Sequence, residues 1–194
     1  DTVIILDACR YDYYPRKAKK GTSLGTSTKE SIPLMFPDKY DHIYISANPQ
    51  VNSFTYIGSY FPPHHFLKVI DLWHSAWDWN LRTVPPWSVA EEAVKYQMDG
   101  YKVVVHFMQP HYPHIGEVRL NPDLSNFRES YMSNVGLVVK FAEKLINGKT
   151  LITADHGELL GEDGYYGHTG AFLKTGNGKI NMDLLRSIPV EEIK

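Results

Sequence analysis

Three short apolar runs govern what this chain can fold into: Thr2–Leu6, Lys102–Met108 and Lys149–Ala154. Each is rich in β-branched residues and lacks a polar face. A strand of that kind is buried on both sides, as in a parallel sheet covered by helices. Between and after them lie helical patterns. Ser88–Met98 carries Val89, Ala90, Ala93, Val94 and Gln97 along one side, with Gly100 beyond its end. Phe127–Ile146 carries Tyr131, Val135, Val138, Val139, Ala142, Leu145 and Ile146, and Asn147-Gly148 stops it. The alternation predicts an α/β fold, a three-layer sandwich around a largely parallel central sheet. Ligands bind such sheets outside the carboxyl ends of the strands.

Those carboxyl ends are where the chemistry-bearing residues fall. Asp7 follows the first run, and His111 and then His114 follow the second across a Pro-stiffened loop, QPHYPHIG. Asp155 and His156 follow the third, with Gly157 directly behind them to allow a sharp turn. His168 lies twelve residues past His156, after Gly167. Carboxylate and imidazole are ordinary ligands of zinc or manganese. Taken one at a time, each has a plainer reading: a strand-end Asp capping a helix, or a hydrogen-bonded core histidine such as His106 within its strand. The coincidence of Asp7, His111 and Asp155-His156 at one sheet edge favours a site.

The remaining chain reads in outline. His42–Ser46 and Leu67–Leu72 are further strands, and Ala8–Lys20 is a short helix interrupted near Pro15, its basic end a solvated face. In Gly21–Phe36, Ser27 with Glu30 has capping-box spacing, which puts Thr28 in the first turn of a helix, where open N–H groups favour an anion. Pro33 allows a second placement, with Ser31 as the cap. Asn48–His65 is a long loop in which His64 and His65 are surface residues. Trp73–Trp87 is irregular, a pocket wall or a cover for the core, and Ile180–Ile188 adds a helix before an acidic tail. No repeat, low-complexity tract or linker divides residues 1–194, so a single domain is expected.

Composition limits the partners. The net charge is −2, which offers no basic face to nucleic acid. No apolar run approaches the roughly 18 residues of a transmembrane helix. Cys9 is the only cysteine, so no intramolecular disulfide forms and nothing indicates an oxidising compartment; a cytoplasmic setting fits. The chain opens in a strand without an initiator Met, as part of a longer or processed protein would.

With these residues in view, the chain resembles the alkaline phosphatase superfamily, in its sulfatase-like branch, which includes phosphoethanolamine transferases and lipoteichoic acid synthases. LGTSTKESIPLMF is similar to the transferases' nucleophile segment, TADHGELLGEDGYYGHTG to their Asp-His-Gly-Glu segment with a distal Gly-His, and HFMQPHYPH to a segment supplying a substrate-site histidine. The resemblance implies Thr28 as nucleophile, Asp7, Thr28, Asp155 and His156 around one firmly bound zinc or manganese ion, and His111, His168 and His106 at the substrate, with a second metal an option. It implies a phosphoester hydrolase or phospho-group transferase acting on small-molecule, glycan or lipid esters. Sulfate ester hydrolysis on the same site and a non-catalytic metal- or anion-binding module are the alternatives. Cys9 lacks the Pro and Arg that surround a sulfatase nucleophile, so it is expected to be a small buried residue. A dinucleotide-binding fold is disfavoured, because no Gly-x-Gly-x-x-Gly follows the first strand.

Overall fold

β1 (Thr2–Leu6) lies at the middle of a seven-stranded sheet in the computed structural model, which describes residues 1–54 and 65–194. Beside it run β5 (Lys102–Phe107) and β6 (Thr150–Thr153), both parallel to it. Beyond β5 come β3 (His42–Ser46) and β4 (Lys68–Asp71), also parallel. Beyond β6 come β10 (Ser187–Ile193), antiparallel, and the edge strand β2 (Lys19–Thr22). A small antiparallel sheet of β7 (Leu159–Leu160), β8 (Tyr166–His168) and β9 (Ala171–Lys174) stands apart.

The apolar runs divide their side chains between two covers, as the two-residue period of a strand requires. Ile4, Leu6, Val103, Val105 and Phe107 join a core with Val89, Ala90 and Ala93 of α3 (Pro86–Met98) and Val135, Val138 and Val139 of α4 (Phe127–Ala142). Ile5, Val104 and Tyr44 face the other way, onto Ile32 and Phe36 at α1 (Thr28–Met35). The three-layer sandwich with a mostly parallel sheet is therefore present.

Several local expectations change. Ala8–Lys20 holds no α-helix: Ala8 turns left-handed at φ 61°, Tyr11–Tyr13 make one 3-10 turn, and Lys19-Lys20 enter β2. Lysines on an exposed edge strand discourage further pairing, which suits the basic cluster better than a helix face. The predicted tail helix over Ile180–Ile188 shortens to α5 (Met182–Arg186), and Ser187 onward becomes β10. Glu191, read as part of an acidic tail, is buried and takes hydrogen bonds from Tyr14 and Arg16. Within Trp73–Trp87 the first turn is α2 (Leu72–Ser75), Trp73 and Trp77 pack on the core, and Pro86 opens α3 at its first position. Cys9 is a free, wholly buried thiol, as expected. His65 donates from Nδ1 to the Phe36 carbonyl, 2.9 Å away, and His64 lies outside the described residues. Among the described residues no helix is long and apolar enough to cross a membrane.

The turn after β1 is held from beneath by α4. The Tyr131 hydroxyl, fully buried, donates to the Ala8 carbonyl at 2.7 Å and accepts from the Arg10 amide at 2.9 Å. Replacing Tyr131 with Phe leaves two buried backbone groups without a partner. We expect a loss of about 1–3 kcal/mol in urea unfolding; a change within error would mean that the turn does not depend on this bridge.

Candidate active site and metal centre

The sheet register delivers the site. Leu6 pairs with Phe107 and Ile5 with Thr153, so Asp7 and Asp155 come to the same level just past the strand ends. Ser46, the last residue of β3, pairs with His106, which sets Asn48 two residues past the end of that strand. Counting by twos, Asp7 shares a face with Ile5, Asp155 with Thr153 and His106 with Val104, all on the side covered by α1. The amino end of α1 points at them, with Ser27 as the extended cap and Thr28 first in the helix. The capping box takes an altered form: the Glu30 carboxylate accepts from Thr26, through both its amide and its hydroxyl, and Ser27 makes no side-chain cap bond. Pro33 stays inside the helix, so Ser27 rather than Ser31 is the cap.

Asp7, Thr28, Asp155 and His156 converge and are all buried. The Thr28 hydroxyl donates to Asp155 Oδ2 at 2.6 Å and lies 3.5 Å from His156 Nε2. Asp155 Oδ1 accepts from the amides of Ala8 at 3.2 Å and His156 at 3.0 Å. His156 Nδ1 sits 2.8 Å from the Gly157 carbonyl, which can only accept, so that nitrogen carries the proton and Nε2 keeps its lone pair. Nε2 is 3.4 Å from Asp7 Oδ1 and 3.6 Å from Asp155 Oδ2. Gly157 has no room for a side chain: a Cβ there would meet the Leu184 carbonyl at 2.2 Å.

These residues fit a divalent cation. Asp7 Oδ1 is buried without a hydrogen-bond partner. One ligand atom from each of Asp7, Asp155 and His156 lies within 4.8 Å of the others. Ligands on a tetrahedral shell of radius about 2.1 Å would stand about 3.4 Å apart, close to the two distances from His156 Nε2. Carboxylates, an imidazole and a hydroxyl form a hard-to-borderline donor set suited to zinc or manganese.

Around this centre, His111 and His168 meet with their Nε2 atoms 2.9 Å apart. Their Nδ1 atoms face the carbonyls of Tyr112, at 2.5 Å, and Thr169, at 3.2 Å, so both Nε2 atoms carry lone pairs. Two lone pairs at that distance require a proton or a cation between them. Burial, with the charges of His156 and His111, holds the His168 pKa down to about 2. The His168 ring lies tilted at 46° to His156 with 4.3 Å between centroids, joining the pair to the centre. His106 takes a different place. It has no exposed surface, its Nδ1 lies 2.8 Å from the Tyr44 hydroxyl, and its Nε2, without a hydrogen-bond partner, lies 3.8 Å from Asp155 and 4.0 Å from Asp7. His114 is buried on Ser130 of α4, its Nδ1 2.7 Å from that hydroxyl. Asn48 was not anticipated. Its amide donates to Asp7 Oδ2 at 2.6 Å and to the Thr28 hydroxyl at 3.2 Å. Its phase two residues beyond Ser46, on the α1 side of the sheet, was the signal available in the sequence.

No model of a known protein family matches the chain, and neither does any curated protein. Solved structures do match it in fold. One is the integral membrane protein lipooligosaccharide phosphoethanolamine transferase A of Neisseria meningitidis, with TM-score 0.61 and 15% identity over 97% of this chain and 46% of that one. Its soluble domain gives TM-score 0.61 and 15% identity, covering 97% and 74%. The C-terminal periplasmic domain of phosphoethanolamine transferase EptC of Campylobacter jejuni gives TM-score 0.57 and 15% identity, covering 97% and 76%. This chain spans under half the length of the whole Neisseria protein, and at these identities the likeness establishes the fold.

The buried charges set a pH dependence for the metal-free protein. Burial opposes protonation of His156, but Asp155 and Asp7 outweigh it and raise the pKa to about 10 from 6.5. Stability from that proton is complete below pH 6.5 and is lost as the pH rises through 10. Glu158 acts in the same direction: burial, with Asp7 and Asp155, pushes its carboxyl up to about 8 from 4.5, so the fold weakens as that group is forced to ionise. We expect the melting temperature in EDTA to fall steadily between pH 6 and 10. Saturating Zn²⁺ should flatten most of that slope, because the cation takes the place of the proton on His156. Equal slopes with and without metal would contradict the site.

Proposed function

We propose that residues 1–194 form a catalytic domain for divalent-metal-dependent phospho-group transfer or phosphoester hydrolysis, with Thr28 as nucleophile. The observation that carries this reading is the Thr28 hydroxyl at the amino end of α1, hydrogen-bonded to Asp155 at 2.6 Å beside an unpartnered Asp7 oxygen. The phosphoethanolamine transferase domains that share the fold support phosphate as the transferred group.

Asp7, Thr28, Asp155 and His156 would hold a zinc or manganese ion, which lowers the pKa of the Thr28 hydroxyl and offsets charge on the phosphoryl group. Asp155 Oδ2 is placed to receive the hydroxyl proton, and the Asn48 amide holds Oγ1 in position by donating to it. Thr28 Oγ1 then bonds to phosphorus as the bond to the leaving oxygen breaks. Water or a second substrate hydroxyl afterwards displaces Thr28 from phosphorus. The open N–H groups of the first turn of α1 favour the phosphoryl oxygens. His111 and His168, with their Nε2 atoms 2.9 Å apart, would stabilise charge developing on those oxygens. His106, expected at the substrate, lies with its Nε2 3.8 Å from Asp155 and 4.0 Å from Asp7. The substrate is a small-molecule, glycan or lipid phosphoester. Cys9, a buried free thiol followed by neither the Pro nor the Arg of a sulfatase segment, gives no support to a sulfatase-type nucleophile.

Assays with p-nitrophenyl phosphate and bis-p-nitrophenyl phosphate in Zn²⁺ or Mn²⁺ test this. Thr28→Ala should lower turnover at least about a thousandfold while keeping the wild-type circular dichroism, and Thr28→Ser should keep measurable activity. His168→Ala should lower kcat by about a hundredfold to a thousandfold, the scale of losing one preorganised stabiliser of the transition state. Full activity in Thr28→Ala would remove Thr28 as the nucleophile.

A further inference from the structure

We propose that Arg10 is the positioning residue of the metal centre, fixing the segment that carries His156 against the segment that carries Asp7. This rests on the metal-site reading above and adds a residue that touches neither metal nor substrate.

Asp7 and His156 belong to segments distant in sequence, and their spacing is set by what joins those segments. Arg10 stands three residues after Asp7, with its side chain only 4% exposed. Its guanidinium uses all of its nitrogens. Nε and one terminal nitrogen grip Asp12 at 2.9 and 2.6 Å. The other terminal nitrogen donates to Glu162 at 2.8 Å and to the Glu158 carbonyl at 3.2 Å. Glu158 is two residues past His156, so the arginine grips the His156 turn by its backbone. Glu162 in turn accepts from the Leu160 amide and faces Arg128 at 3.5 Å. Gly157 is bare where the arginine stem passes, since a Cβ there would lie 3.2 Å from Arg10 Cγ. The near side is equally fixed: the Arg10 amide donates to Tyr131, and the intervening Ala8 is held left-handed at φ 61°. Such a conformation persists in a residue with a Cβ only where its surroundings over-determine it. A planar fork that closes both sides of a metal site is a task lysine cannot take over, because a single ammonium cannot span three acceptors in fixed directions.

The test is metal affinity, read by competition with a chromophoric chelator at a temperature where every metal-free variant is folded. Arg10→Lys and Glu162→Gln should each weaken Zn²⁺ binding about tenfold to a hundredfold, the range found for groups that orient metal ligands. Turnover should be restored at saturating metal, which a damaged reaction step would not allow. Arg16→Lys is the control. It disturbs the comparable pair of ion pairs to Glu143 and Glu191, and should leave metal affinity unchanged. Glu162→Gln keeps the residue's volume and decides the matter if Arg10→Lys does not fold. Zinc affinity within twofold of wild type in Glu162→Gln, with or without a lowered melting temperature, overturns the inference. A wild-type chain that binds no divalent metal would instead defeat the metal-site reading itself.

Discussion

Two fully buried carboxylates, Asp7 and Asp155, create the demand that organises this structure. An ionised carboxylate removed from water carries a large penalty unless donors or a cation compensate it. The fold meets most of that demand with its own groups. Asp155 takes two amides and the Thr28 hydroxyl, while Asp7 takes the Asn48 amide on one oxygen. What is left over is an unpartnered Asp7 oxygen facing the lone pair of His156. Without a metal, a proton on His156 fills that role and holds Asp7 well below the usual carboxylate range, against its burial. The same three groups could hold a divalent cation in place of that proton.

The sheet makes that concentration of charge possible. Parallel strands bring all their carboxyl ends to one edge, and a shared register brings equivalent positions to one level. Because alternate residues face opposite covers, Asp7, Asp155, His106 and Asn48 all fall on the α1 side, while the apolar residues between them fill the α3 and α4 side. The amino end of α1 then closes over the group with the Thr28 hydroxyl. Moving any of these strands by one residue would turn its ligand into the opposite core. The buried β-branched runs, which make no functional contact, therefore hold the ligands in phase.

Much of this was legible in the sequence, and the part that was not has a physical reason. β1, β3, β5 and β6 stood out because strands buried on both faces read as unbroken apolar runs. Asp7, Thr28, Asp155, His156, His111 and His168 were read from strand ends, a helix start and motif spacing, and the structure brings all six together. β2 and β10 were hidden because edge and near-edge strands carry lysine and glutamate. Glu191 reads as a solvated tail residue until Tyr14 and Arg16 are seen to cover it. Asn48 was missed because amide side chains are common in loops, and only its phase on β3 marks it. His106 could be placed in a strand, but no pattern in the sequence shows whether an internal histidine points toward a pair of carboxylates or toward a hydrocarbon core.

Cys9 being the chain's only cysteine, its long-range side-chain ties are of another kind, and their placement follows the site. Arg16 joins the segment before β2 to β10 through Glu191 and to the end of α4 through Glu143. Arg10 joins the end of β1 to both sides of β7, through the Glu158 carbonyl before it and Glu162 after it. The first tie is partly exposed and secures the antiparallel margin of the sheet, where screening leaves an ion pair a modest value. In the second the Arg10 side chain is buried, although Asp12 and Glu162 remain 48% and 19% exposed, and losing a partner there leaves the buried guanidinium less compensated. Burying a charged group in an ion pair adds little stability over apolar packing of equal volume, so this tie is better explained by direction than by strength. It joins the two segments whose separation decides whether Asp7 and His156 can share one cation.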